Sequence, residues 1–184
     1  MKVRNKKFQF IQREIRQSSA RPISFRHWMS ENEPLIMLAL VACGIKKGAT
    51  LPAHFTRSQI DRYRQLLEKL KLPYTVRSFI PPSTGAKRWI IDVARDKRWL
   101  EKFNKEQLPL GTFYGYPRCC QCSYFLDTRQ KRWLGSYSLR FIGLVPCKRT
   151  CLQAKALAVK CDQVISSLLL EEKYRAFRNY WAQT

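Results

Sequence analysis

Residues 56–94 form the stretch TRSQIDRYRQLLEKLKLPYTVRSFIPPSTGAKRWIIDVA, which holds the clearest structural pattern in the chain. It begins with the spacing of a helix capping box, Thr56 to Gln59. Apolar residues then recur at helical intervals: Ile60, Tyr63, Leu66, Leu67 and Leu70. The pattern predicts a helix over residues 57–71. Residues 74–80 and 88–94 have strand composition and flank a loop rich in Pro and Gly, so they predict a hairpin.

The flanking segments extend this pattern to a β-α-β-β-α order. Upstream, the apolar run from Leu35 to Val41 is short enough for a buried strand, although a helix also fits. Downstream, Asp96 can cap a short helix, and Pro109 then interrupts the chain. A long amphipathic helix is predicted over residues 150–181. We therefore predict an α/β fold of the α+β kind, with a small mixed sheet, a Cys-rich segment and a long C-terminal helix.

The size and composition of the chain indicate one folded domain. It has 184 residues, of which 45% are hydrophobic and 12% aromatic, enough to build a buried core. The longest apolar run, eight residues from Leu35 to Ala42, is far shorter than the ~20 needed to cross a bilayer. We expect a basic arm or helix over residues 1–30 and a single α/β domain over residues 31–184. The Cys-rich half of that domain spans about 107–160.

Residues 1–30 contain eight Lys or Arg and one acid, Glu14, with aromatic residues between them. Two interpretations remain open for this segment: a helix that packs its apolar face on the domain, or an arm that binds a polyanion. The segment lacks the apolar centre of a secretory signal, although its basic character also fits an organellar presequence. We expect a cytoplasmic protein.

The seven cysteines are unevenly distributed, because five of them lie between Cys119 and Cys151. In a reducing compartment, clustered thiols point to metal or redox chemistry rather than to a disulfide framework. The two isolated residues, Cys43 and Cys161, are predicted to be small buried apolar side chains.

Two short motifs carry the clustered cysteines, and each contains a proline that suits the first turn of a helix. Pro117 precedes Cys119, Cys120 and Cys122, and Pro146 precedes Cys147 and Cys151. Thiols at a helix N-terminus are stabilised as thiolates by free backbone N–H groups and nearby basic residues. We therefore expect the two motifs to meet in one thiolate-rich pocket.

Several chemistries fit this pocket. The pairs Cys119-x2-Cys122 and Cys147-x3-Cys151 can supply four soft ligands to zinc. Cys119 and Cys120 can instead ligate an iron–sulfur cluster or act as a redox-active vicinal dithiol. Thiols packed as core residues where two helix ends meet are the remaining alternative.

The motifs Gly115-Tyr116-Pro117-Arg118-Cys119-Cys120 and Pro146-Cys147-Lys148-Arg149-Thr150-Cys151 resemble those of a prokaryotic family called domain of unknown function 483. The resemblance covers roughly residues 88–160. It implies a four-cysteine site made of Cys119, Cys120, Cys147 and Cys151, with Cys122 as a possible fifth member. The family departs from this chain at Lys148, where it usually has Ser, and it implies no activity.

The charge of the chain gives the main functional indication. There are 35 Lys plus Arg and 13 Asp plus Glu, so the net charge is 35 − 13 = +22, which favours RNA or DNA as the partner. The candidate nucleic-acid-binding residues are Arg4, Lys6, Lys7, Arg13, Arg16, Arg129, Lys131, Arg132 and Arg140.

Other functional classes fit the sequence less closely. The ribosome or an acidic protein complex would attract the same basic surface, which gives an assembly protein as the alternative. An iron–sulfur or thiol redox protein is the second alternative. Catalysis has little support, because the only histidines, His27 and His54, lie far in sequence from the cysteine motifs and no catalytic motif is present.

Overall fold

The computed structural model describes residues 5–19, 24–55, 57–80, 85, 87–121, 136–144, 146–148 and 150–183. Its strands are β1 (Gly48–Phe55), β2 (Tyr74–Phe79) and β3 (Arg88–Ala94). Its helices are α1 (Lys6–Ser19), α2 (Phe25–Ala42), α3 (Arg57–Leu70), α4 (Lys97–Asn104), α5 (Leu110–Phe113), α6 (Tyr137–Ile142), α7 (Leu152–Leu168) and α8 (Glu171–Gln183). The combination of helices and a small sheet confirms the predicted α/β class.

The sheet has the strand order β1-β3-β2, and both strand pairs are antiparallel. The predicted hairpin is confirmed, since Tyr74 pairs with Val93 and Phe79 with Arg88. The β-α-β-β-α order is also present, but it starts at Gly48. The sheet is therefore antiparallel throughout and not mixed. The connection through α3 joins β1 to β2, which run in the same direction, but β3 lies between them and pairs antiparallel with both.

The strand predicted over Leu35–Val41 is wrong, because this run lies inside α2. Ser24 begins the helix by accepting a hydrogen bond from the His27 N–H. Every residue from Leu35 to Val41 is buried, since α1, α7 and β1 pack around it. A helix buried on all sides lacks a polar face, so its sequence cannot be distinguished from a buried strand by periodicity.

The basic N-terminal segment contains a helix that packs on the domain. Phe8, Ile11 and Ile15 lie on one face of α1 and are buried against the core, largely at α2. The opposite face carries exposed charged residues. Helix α2 continues through residue 30, where the expected boundary between arm and domain falls.

The two faces of the sheet differ in polarity. Leu51, Ile91 and Val93 are fully buried on the face that meets α2. Asp92 lies on the other face, is also fully buried, and accepts hydrogen bonds from Thr50 Oγ1 (2.7 Å) and from Arg77 Nε (2.5 Å). These donors satisfy the carboxylate, which would otherwise be costly to bury.

The C-terminal region forms two helices instead of one. Leu169 ends α7 with an extended backbone, and α8 begins at Glu171. The turn folds α8 back onto α6, where Phe177 is fully buried against Phe141 and Tyr137. None of the described helices is both long and apolar enough to cross a membrane.

Candidate metal centre

Pro117 begins the short helical segment 118–121, which carries Cys119 and Cys120. The N–H of Cys120 donates to the Pro117 carbonyl at 2.9 Å, as expected for a proline at a helix start. The side chain of Gln121 then fixes the segment, because its Nε2 donates to the Tyr116 carbonyl at 2.6 Å. The predicted position of these two thiols at a helix start is therefore confirmed.

The second motif differs from its predicted form. Cys151 is the N-cap of α7, and its sulfur accepts a hydrogen bond from the Ala154 N–H at 3.5 Å. Cys147 lies just before the turn that the Cys151 N–H closes by donating to the Lys148 carbonyl at 3.1 Å. The prediction that Pro146 lies in the first turn of a helix is wrong, because the helix starts only after Cys151.

The two motifs nevertheless meet, and they bring four sulfur atoms together. The Sγ atoms of Cys119, Cys120, Cys147 and Cys151 all lie within 4.8 Å of one another. Cys120 and Cys151 are 3.7 Å apart, Cys119 and Cys151 are 3.8 Å apart, and Cys119 and Cys120 are 3.9 Å apart. These distances exclude a disulfide, in which the sulfurs are about 2.05 Å apart. The predicted convergence of the cysteines is confirmed.

The environment of the four thiols is uneven. Cys120 and Cys151 are buried, Cys147 is half-buried and Cys119 is exposed. Burial raises the pKa of Cys120 and of Cys147. Burial also opposes ionisation of Cys151, but the Ala154 N–H and the neighbouring thiols outweigh it and lower the pKa of Cys151. The helix cap therefore favours the thiolate form of Cys151.

The cluster has polar support outside the four thiols. Gln153, in the first turn of α7, accepts a hydrogen bond from Cys119 Sγ at 3.6 Å. The backbone N–H of Cys147 faces the sulfur of Cys120 and favours its ionised form. These contacts orient two of the sulfurs. A Cys119 thiolate bound to a metal could only accept a hydrogen bond, so Gln153 would have to turn its amide Nε2 toward the sulfur to support it there. The arrangement can hold one metal ion with four sulfur ligands.

The remaining cysteines lie elsewhere. Cys122, the possible fifth member, lies outside the described residues. Cys161 is fully buried in α7, as predicted, and burial raises its pKa to about 12. Cys43 ends α2 and is only half-buried, and burial raises its pKa to about 11. Neither belongs to the cluster.

The predicted nucleic-acid-binding residues are only partly described. Lys6, Arg13 and Arg16 are exposed on α1, and Lys7 is half-buried with its Nζ donating to the Lys71 carbonyl at 3.2 Å. Arg140 belongs to α6. Four other residues of the set lie outside the described part of the chain: Arg4, Arg129, Lys131 and Arg132. Lys6, Arg13 and Arg16 share the exposed side of α1, whereas Lys7 faces Lys71.

Lys46 is a feature that the sequence analysis missed. It is 2% exposed, and its Nζ lies 4.7 Å from the centre of the Tyr114 ring and 5.2 Å from that of Tyr116. Burial lowers the pKa of Lys46 to about 8, although the nearby Cys161 acts in the opposite direction. A basic residue beside a glycine turn gives no signal of burial, so sequence alone could not identify it.

Comparisons of the chain with protein-family models, with curated proteins and with solved structures give no match.

Proposed function

We propose that the chain is a basic RNA-binding protein in which Cys119, Cys120, Cys147 and Cys151 hold a structural zinc ion. The observation that carries the zinc assignment is the set of sulfur–sulfur distances, 3.7, 3.8 and 3.9 Å. A zinc ion with four Zn–S bonds of about 2.3 Å in tetrahedral geometry requires sulfurs about 3.8 Å apart. The protein thus holds Cys119, Cys120 and Cys151 near the positions that the ion demands, and the sulfur of Cys147 lies within 4.8 Å of theirs.

The same distances favour a single ion over an iron–sulfur cluster. Cysteines that bind different irons of a cluster lie farther apart than those around one ion, whereas here all four sulfurs lie within 4.8 Å. A set of four protein ligands leaves no open position for substrate, which is typical of structural zinc and not of catalytic zinc. The ion would tie the start of α7 to the segment 118–121.

The charges around the cluster also suit zinc. Four thiolates and one Zn²⁺ carry a net charge of −4 + 2 = −2. Arg118 and Lys148, which are next to Cys119 and Cys147 in the chain, are exposed and basic, and the N-terminus of α7 adds the positive end of a helix dipole. These groups offset the residual negative charge. The four residues are also those that the resemblance to domain of unknown function 483 singles out.

Metal analysis of the purified protein tests the zinc proposal. We expect about one zinc ion per chain, and we expect Cys120→Ser to lose it while Cys43→Ser keeps it, since only Cys120 belongs to the cluster. Replacement by Co²⁺ should give the absorption of a tetrahedral tetrathiolate site. Iron in place of zinc, or equal metal content in the two variants, would contradict the assignment.

RNA binding is supported by the charge of +22 and by basic residues beside aromatic rings. Lys47 Nζ lies 4.5 Å from the centre of the Trp99 ring, and Lys87 Nζ lies 5.9 Å from that of Trp89. Phosphate contact by cations together with base stacking on aromatic rings is the usual mode of single-strand binding. We place this activity in the cytoplasm, on free RNA or on a ribonucleoprotein such as the ribosome.

Binding assays with labelled RNA at several salt concentrations test this proposal. The logarithm of the affinity should fall linearly with the logarithm of salt, because phosphate contacts release counterions. Protein purified at low salt should also carry 260 nm absorbance that nuclease removes. If RNA does not bind at low salt while an acidic protein does, the chain is an assembly protein instead.

A further inference from the structure

An open groove of about 600 Å³ lies beside the cysteine cluster. One wall is a face of α7 that runs from Gln153 to Gln163 and includes Lys160. The opposite wall consists of the Gly44–Ile45 turn and the Gly115–Pro117 segment. Its location is linked to the cluster, because Gln153 accepts a hydrogen bond from Cys119 and Pro117 begins the segment that carries Cys119.

The groove has the charge of an anion-binding surface. None of the residues that line it is acidic, and Lys160 is exposed within it. Two more exposed cations stand at its edge. The Arg95 guanidinium lies 2.6 Å from the point where a Cβ on Gly44 would be, and Lys47 Cγ lies 3.1 Å from the corresponding point on Gly115. Within the described residues, none of these three cations pairs with a carboxylate.

The shape of the groove suits an extended polymer more than a small-molecule ligand. The Arg95 and Lys47 side chains lie against its two glycines, where a Cβ would not fit, so both cations border the groove. It is open, and its apolar contacts come from Ile45, Pro117 and Leu157. Trp99 stands beside Lys47 at the same edge and offers a ring for stacking. Sites for single small ligands are usually more enclosed and more apolar.

The basic surface continues from the groove onto α1. The Gln12 Nε2 donates to the Ser167 carbonyl at the C-terminal end of α7 (2.6 Å). The exposed face of α1 therefore lies next to the groove at that end of α7. That face carries Arg13 and Arg16 and lines a shallow depression without acidic residues. The distance along α7 from Gln153 to Ser167 is about 20 Å at 1.5 Å per residue, which is enough for several nucleotides.

From these observations we infer that the groove between α7 and the Gly44 and Gly115 turns is a binding site for single-stranded RNA. This inference rests on the proposed RNA binding and adds its location. Lys47, Arg95 and Lys160 contact phosphates, and Gln153 and Gln163 can both donate to and accept from ribose hydroxyls. The cysteine cluster fixes the two walls relative to each other, so metal loss weakens the site without removing any cation.

The test compares two triple variants with equal loss of charge. The groove variant is Lys47→Gln, Arg95→Gln, Lys160→Gln. The control is Arg57→Gln, Lys69→Gln, Lys105→Gln, which removes three exposed cations that do not line the groove. Affinity for a labelled 12-nucleotide single-stranded RNA is measured over a range of salt, with thermal melting to show that both variants fold.

We expect the groove variant to lose at least tenfold in affinity and the control less than threefold. The salt slope of the groove variant should fall by about two units, since each phosphate contact to a single strand contributes about 0.7. Chelation of the metal should weaken binding by the wild type. A stronger affinity for duplex RNA, or equal affinity for single-stranded DNA, would overturn the assignment to single-stranded RNA.

Equal losses in the two variants would overturn the groove while leaving RNA binding itself in place. If the wild type fails to bind any RNA at low salt, the proposed function fails instead. The two failures are therefore distinguishable in one set of titrations.

Discussion

Two regions of the molecule are built in different ways. The sheet region, residues 48–104, is held by ladder hydrogen bonds, by apolar side chains such as Leu51 and Ile91, and by one satisfied buried carboxylate. The cysteine region, residues 112–121 and 136–168, joins short segments whose ends meet at four thiols. Strand pairing holds the first region together. The second region has buried apolar residues on α7 as well, but its cysteine motifs are distant in sequence, and the proposed zinc ion would cross-link them.

Metal removal should destabilise the cysteine region far more than the sheet region, and this is the largest expected effect. Chelation leaves four thiols with nothing to bridge them, so we expect a loss of about 4 kcal/mol or more in unfolding free energy, because metal affinity contributes to folding. Hydrogen exchange followed by mass spectrometry should show the loss of amide protection concentrated at residues 118–121 and at the start of α7. An equal loss of amide protection in β3 would contradict the expected difference between the two regions.

The second prediction concerns Lys46, which lies between the two regions. Its pKa is lowered from 10.5 to about 8, so between these pH values the unfolded state binds a proton that the folded state does not. Stability therefore rises with pH in this window, by about 3 kcal/mol in total at 1.36 kcal/mol per pKa unit. The variant Lys46→Met lacks this rise.

The measurement for Lys46 is a series of urea unfolding curves of wild type and Lys46→Met from pH 7 to pH 10.5. Cysteines and tyrosines with raised pKa values lower stability in the same range, so only the difference between the two proteins reports on Lys46. Lys46→Met should be the more stable protein at pH 7, and its advantage should shrink as pH rises. A constant difference would refute the account of Lys46.

Asp92 should matter to the sheet region alone. In Asp92→Asn the carboxylate that receives hydrogen bonds from Thr50 and Arg77 is replaced by an amide, which can accept from only one side. We expect a loss of about 2 kcal/mol, typical of hydrogen bonds to a charged group, with the half-exposed Arg77 limiting the effect. Metal content should stay unchanged in this variant. A loss of metal would show that the stabilities of the sheet region and the cysteine region are coupled, contrary to this prediction.

The smallest expected effect is at the start of α4. Asp96 accepts a hydrogen bond from the Trp99 N–H at 3.1 Å, so Asp96→Ala removes a helix cap at a cost of about 1 kcal/mol. Asp96→Asn, which retains the cap, is the matched control and should lose only a small part of the unfolding free energy that Asp96→Ala loses. Chemical denaturation measures both, and equal losses would show that the charge of Asp96 matters more than its cap.

The elements that sequence predicted correctly are those with a local signal. Helix α3 has a polar face opposite Ile60, Tyr63 and Leu67, and the β2–β3 hairpin has its loop between two strand-like runs. Helix α2 lacked such a signal, because tertiary packing buries it on all sides. The break at Leu169 was also missed, since Leu169 and Leu170 continue the apolar pattern of α7 through the turn.

Part of the candidate site could also be predicted, because it too has a local signal in the sequence. Pro117 correctly indicated a helix start at Cys119 and Cys120, whereas Pro146 did not mark the start of α7, and the four sulfurs converge as expected. The membership of Cys120 could not come from spacing, because zinc ligands commonly occur as C-x2-C pairs. The groove beside α7 was not foreseen, since Gly44, Gly115 and Lys160 are far apart in sequence and meet only in the folded chain.

X-ray absorption at the zinc edge of the purified protein tests the central claim most directly. It reports the elements bound to the metal and their distances. We predict four sulfur neighbours at about 2.3 Å and no nitrogen or oxygen neighbours, reduced or lost in Cys120→Ser and unchanged in Cys43→Ser. A metal-free protein that folds with all four thiols unbound, or a zinc ion with mixed sulfur and nitrogen ligands, would contradict the account.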